Sequence, residues 1–71
     1  MIKYIEISFD GEENICILAE GIPGEEDVKV FCKEDMKMFG CTEVFGINEI
    51  SKEEAHEFYD MSRENEFPVF R

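Results

Sequence analysis

Apolar and polar residues alternate from Lys3 to Phe9: Ile5, Ile7 and Phe9 point one way, and Tyr4, Glu6 and Ser8 the other. A period of two predicts a strand with one buried face. The cluster Asp10-Gly11-Glu12-Glu13-Asn14 predicts a turn, and Ile15 to Glu20 a second strand, so the pair reads as a hairpin. Parity narrows the loop length. A two-residue Asp10-Gly11 turn would set Ile7 opposite Asn14 and Phe9 opposite Glu12, apolar against polar. A loop of three or five residues sets Ile7 opposite Ile15 or Ile17, and only such loops keep the apolar faces together.

Ile22-Pro23-Gly24-Glu25 fits a type II turn, with Pro at its second position and Gly at its third, and Glu25-Glu26-Asp27 prolongs that loop. Val28 to Lys33 alternates again, which predicts a third strand with Val28, Val30 and Cys32 on one face. Over Glu34 to Phe39 the spacing of Met36 and Phe39 predicts one or two helical turns, with Gly40 as the cap. Thr42 to Ile50 reads as a further strand, in which Gly46 marks a bulge or a close approach. Ser51-Lys52-Glu53-Glu54 is a capping box, flanked by Ile50 and Ala55 as a hydrophobic staple. The helix it opens is expected to reach Asn65, with Ala55, Phe58, Tyr59 and Ser62 on its core side and Met61 outside that stripe. Glu66 to Arg71 is expected to be an extended tail, because the residue before Pro68 avoids helix; Phe67, Val69 and Phe70 suit it for docking.

These elements predict a single α+β domain: a small antiparallel sheet of three or four strands, one C-terminal amphipathic helix on one face, and a possible short helix over 34–39. One helix covers one face. Tyr4, Cys16, Leu18 and Phe31 point to the other, so either the 34–39 segment or the tail covers them, or an apolar patch is left for a partner.

Charge changes the picture more than composition does. In 71 residues there are 18 Asp and Glu against 7 Lys and Arg, a formal charge of −11. Phosphate backbones and anionic membrane surfaces repel such a chain, so direct binding to either is disfavoured. The longest apolar run, Ile15 to Ala19, is far short of the roughly 20 residues of a membrane span. No basic region followed by an apolar core marks a secretory signal, which makes the cytoplasm the default address. Seven Phe argue for a packed core rather than disorder, although self-repulsion makes that core marginal.

Candidates for chemistry are few. Cys16, Cys32 and Cys41 are odd in number, irregularly spaced and without a CxxC pair, which argues for free thiols rather than a disulfide framework or zinc ribbon. Together with His56 they compose a Cys₃His set on paper only. The lone His56 has no nucleophile placed beside it by motif, and Asp10 to Asn14 lacks the spacing of a calcium loop. No catalytic residue, metal or cofactor is expected.

The acidic residues themselves carry the functional expectation. On the Ser51–Asn65 helix, Glu53, Glu57, Asp60 and Glu64 would fall within about 60° of one another, at roughly 100° per residue. Like charges at this spacing weaken a helix, and a merely solvated face usually intersperses Lys. Asp10, Glu12, Glu13, Glu25, Glu26 and Asp27 add charge from the turns, with Glu34 and Asp35 beyond them. Anions in rows on a small rigid body imitate the phosphates of a nucleic acid. A protein that grips nucleic acid through Lys and Arg would bind them the same way. In composition alone the chain resembles phage-encoded inhibitors of host defence, anti-CRISPR and anti-restriction proteins among them. The expectation is therefore a non-enzymatic binding protein that occludes the basic, nucleic-acid-handling surface of a partner. Two alternatives stand beside it: a homodimeric structural or regulatory domain joined through Tyr4, Leu18 and Phe31, and a small metal-binding or enzymatic module.

Overall fold

The computed structural model describes residues 1–71. Strand β1 spans Lys3–Phe9, β2 Asn14–Ala19, β3 Val44–Ile50 and β4 Val69–Phe70; helix α1 spans Glu25–Phe31, α2 Lys33–Phe39 and α3 Lys52–Phe58. Short 3₁₀ turns occupy Asp10–Glu12 and Glu64–Glu66. The strands form one open sheet in the order β3-β1-β2-β4. The fold is α+β, as the periodicities predict, but the sheet is mixed: β1 is antiparallel to both β2 and β3, whereas β4 runs parallel to β2.

The hairpin follows the parity argument. Its loop is the three residues Asp10–Glu12, and Ile7 lies opposite Ile15. Gly11 takes φ 78° and Glu12 φ 66°, so the loop turns through two left-handed residues, of which only the glycine is free of a steric cost. The bulge expected at Gly46 is present: Ser8 pairs with Gly46 and Phe9 with Val44, which leaves Phe45 unpaired.

The third predicted strand is instead a helix. Gly24 has φ −82° and ψ 172°, not the positive φ of a type II turn, and serves as the N-cap of α1. Its N–H donates to the Asp27 carboxylate at 2.9 Å, and Glu25, Glu26 and Asp27 place negative charge on the first turn, where the helix dipole favours it. Val28, Cys32 and Met36 then recur every four residues on the buried side, across a bend at Cys32 that joins α1 to α2. Gly40, at φ 70°, ends α2 as expected.

The capping box at α3 forms as expected: Glu54 N–H donates to Ser51 Oγ at 3.1 Å, and Ser51 N–H to Glu54 Oε1 at 3.4 Å. The helix, however, ends at Phe58 rather than Asn65. Tyr59 is extended, and the Asp60 carboxylate accepts both the N–H (3.1 Å) and the hydroxyl (2.7 Å) of Ser62, a local turn that competes with helix. Ending there lets Met61, expected outside the core stripe, become buried (4% exposed), while Phe58, expected at its centre, is 67% exposed.

Handedness explains the layers. β2, β3 and β4 all run the same way. The chain crosses from β2 to β3 through α1 and α2, then back to the far edge through α3. Crossovers between parallel strands share one hand. Two crossings in opposite directions keep one hand only on opposite faces of the sheet. Accordingly Ile5, Ile7, Phe9, Ile17 and Ala19 pack against Val28, Cys32 and Met36 on one face. On the other, Leu18 joins Ala55 and Met61, with Tyr4, Ile50, Tyr59, Phe67 and Val69 around them. The face that carries Tyr4, Cys16 and Leu18 is therefore covered within the chain by α3 and the tail. Phe31 is not on that face; it meets Phe70 edge-to-face at 5.6 Å in the first core.

Candidate functional site

The four carboxylates expected in one stripe separate into two kinds. Glu53 and Glu57 stand one turn apart on α3, exposed, and neither side chain makes an ion pair or hydrogen bond within the chain. Asp60 lies beyond the helix and is committed to Ser62, which holds its carboxyl below the ordinary range. Glu64 sits in the second 3₁₀ turn, accepts the Tyr4 hydroxyl at 2.7 Å and pairs with His56 Nε2 at 2.8 Å. The Tyr4 hydrogen bond and, after it, His56 lower the Glu64 pKa; in return Glu64, with burial, pushes the Tyr4 phenol up to about 12. The stripe of four is thus a pair, because α3 stops before the other two can join it.

The acidic turns divide in the same way. The Asp10 carboxylate accepts the backbone N–H of Thr42 at 3.0 Å and of Glu43 at 3.1 Å, and pins the hairpin loop to the segment entering β3. Asp27 is committed to the α1 cap, and Glu25 lies 3.7 Å from Lys29. Glu12, Glu13 and Glu26 are exposed and, like Glu34 and Asp35 at the start of α2, have no side-chain partner within the chain.

The backbone N–H bonds that hold Asp10 ionised have a consequence for acid stability. The Glu43 and Thr42 amides lower its folded pKa below the ordinary value of 3.8. A depressed carboxylate pKa contributes stability that is present above the unfolded pKa and is lost as pH falls through the folded one. The difference in melting temperature between the parent and Asp10→Asn is therefore expected to be constant above about pH 5 and to close below about pH 4. Taking the difference cancels the repulsion common to both proteins. A gap that persists at pH 2 would show that these amides do not discriminate the charged form.

A cationic strip was not legible in the strand reading of Val28–Lys33. Lys29, Lys33 and Lys37 fall at four-residue steps along α1 and α2, beside a shallow hollow that Met36, Cys41 and Thr42 complete. Lys29 is shared between Glu25 (3.7 Å) and Glu43 (3.6 Å). The lysines of α1 and α2 thus gather on one strip, while carboxylates without an ion pair stand on α3, at the hairpin tip and at the helix starts.

The thiols are all free, with Cys32 and Cys41 buried and Cys16 half-buried. Burial pushes Cys32 up to about 11; burial and then the Glu6 charge do the same to Cys16. Cys41 is raised by burial and donates to the Asp10 carbonyl at 2.9 Å. These are environments of inert thiols rather than thiolate nucleophiles. No group of three His, Cys, Asp or Glu side chains is placed to hold a metal ion, and His56 is engaged by Glu64.

One cleft remains. It opens at the free edge of β2, between Phe31 and Asp35 on the α1–α2 side and Phe67 and Pro68 of the tail, with a volume of about 210 Å³. No helix is long and apolar enough to cross a membrane. No protein-family model, curated protein or solved structure matches the chain.

Proposed function

We propose that the chain is a non-enzymatic, acidic binding domain that occludes the basic, nucleic-acid-handling surface of a partner protein. The observation that carries this reading is the free pair Glu53 and Glu57. Two carboxylates stand exposed one helical turn apart, with no cation to neutralise them, on a chain of charge −11. Unpartnered like charges cost helix stability, and a cationic partner surface removes that cost. Glu12, Glu13, Glu26 and Glu34 extend the field that would steer such a partner. Free thiols suit a reducing cytoplasm. The compositional likeness to phage-encoded inhibitors of host defence, of the anti-CRISPR or anti-restriction kind, makes a nucleic-acid-guided or nucleic-acid-cutting complex the natural target. Tyr4, Leu18 and Phe31 offer no joint surface for a homodimer, since Leu18 is buried and Phe31 lies in the opposite layer.

The test is capture of a partner from host lysate at low salt, followed by competition. Saturating DNA or RNA is expected to displace the partner, and association is expected to slow steeply between about 50 and 200 mM salt. Glu53→Lys with Glu57→Lys is expected to weaken binding about thirtyfold while the domain still melts cooperatively, since a cation in the exposed first turn of α3 costs only about 0.3–1 kcal/mol against the helix dipole. Reversing Asp60 is not an equivalent test, because it breaks the Ser62 turn. Binding that is indifferent to nucleic acid would remove the occlusion model.

A further inference from the structure

We propose that the free edge of β2 at Asn14–Ile17 is a docking slot for an extended, basic segment of the partner, held by strand addition. The proposal rests on the reading above only for the partner's positive charge. Glu20 N–H donates to the Phe70 carbonyl at 2.9 Å, so the even-numbered residues of β2 direct their N–H and C=O groups toward β4. β4 is two residues long and lies opposite Leu18 and Ala19 only. The backbone groups of Cys16 and Asn14 therefore point off the sheet with no strand opposite them.

The cleft lies along this stretch. Ile15, Phe31 and Asp35 line it on one side of the sheet, and Cys16, Phe67 and Pro68 on the other. An added strand directs successive side chains to alternate faces, so one set meets Phe31 and Asp35 and the next meets Cys16 and Phe67. The walls are apolar apart from Asp35, a half-buried carboxylate with no cation within the chain. The fitting occupant carries small apolar residues alternating with Lys or Arg. A second copy does not fit, since it brings another charge of −11 to the same carboxylate. The opposite edge is less suited: β3 is bulged at Phe45 and carries Glu49, engaged by Lys3 at 3.9 Å, both of which are devices that blunt an edge.

The probe is the synthetic hexapeptide acetyl-(Lys-Val)₃-amide, added to the full chain at about 150 mM salt to suppress long-range attraction. At saturation, hydrogen exchange of the Asn14 and Cys16 amides is expected to slow at least tenfold. Two control peptides carry N-methyl groups on the Val amides or on the Lys amides; one of the two is expected to lose at least tenfold in affinity, because it lacks the donors that face β2. Asp35→Lys is expected to cost at least tenfold, and Asp35→Asn serves if the lysine lowers the melting temperature. Glu53→Lys with Glu57→Lys is expected to change peptide affinity by twofold or less, whereas it weakens the whole partner. Slot and acidic surface can thus fail separately. Equal affinity for all three peptides would reduce the effect to charge attraction and overturn the slot. Slowed exchange of the same amides on concentrating the protein alone would make a second copy the occupant and overturn it too.

Discussion

Phe9→Ala is expected to leave the chain without a cooperative thermal transition, while Phe58→Ala melts like the parent. Phe9 is 2% exposed and closes the first core at the end of β1, packed with Ile5, Ile7 and Cys41. Truncating a buried phenylalanine costs about 3–5 kcal/mol, transfer and cavity together. A core this small supplies only about 3–5 kcal/mol in all, and a charge of −11 works against it. The substitution therefore consumes the whole stability. Phe58 is the last residue of α3 and 67% exposed, so its loss falls within about 0.5 kcal/mol. Melts followed by circular dichroism decide between the two. A collapse of Phe58→Ala would mean that Phe58 packs into the core beside Ala55, as the helix period alone predicts, and that the end of α3 is buried rather than exposed.

Deleting residues 67–71 is the second change expected to unfold the domain. Phe67 and Val69 pack on the core formed by Leu18, Ala55 and Met61, and Phe70 packs on the other against Phe31. The tail thus fastens both layers at once. At about 1–2 kcal/mol for each partly buried large side chain, the loss is several kcal/mol, again the size of the total. The deletion also bares β2 along its whole length, and an open edge of that kind pairs with other chains. Loss of the melt together with concentration-dependent aggregation is expected. Arg71→Ala, which removes only the exposed pair with Glu20 at 2.7 Å, is the control and should be nearly silent. A truncated chain that melts as the parent does would mean that the tail is not part of either core.

The parts of this fold that were legible in the sequence are those set by neighbours along the chain. The period of two in Ile5, Ile7 and Phe9, the parity of the Asp10 loop, the Gly40 stop and the Ser51–Glu54 box are local, and each formed as expected. Val28–Lys33 misled because Val28, Val30 and Cys32 satisfy a strand period while Val28, Phe31, Cys32 and Met36 satisfy a helix period. The acidic first turn behind Pro23-Gly24 was the signal that decides for helix. The helical period runs on to Asn65 although α3 stops at Phe58, because nothing local announces that Met61 is worth burying; that is decided largely by Leu18, far away in sequence. The candidate site divides on the same line. Glu53 and Glu57 kept the exposure expected of them, whereas Glu64 was taken by Tyr4 and Asp10 by Thr42 and Glu43, partners that only the fold supplies.

The strand order also governs how this chain must be made. The inner strands β1 and β2 are synthesised first, while the strands that flank them, β3 and β4, come from the later half of the chain. On a ribosome the first hairpin emerges with both edges bare and one apolar face uncovered until α1 and α2 follow. Its second face waits for α3 and the tail. Pairing with such distant partners folds more slowly than the local contacts of a helical bundle of the same size. During that interval the net negative charge of the chain already acts between copies. Asp10, Glu12 and Glu13 sit at the tip of the exposed hairpin and Glu20 at its far end. Like-charged nascent chains repel one another there, which keeps an unfinished sheet from pairing with its neighbours on the same message before its own last strand arrives.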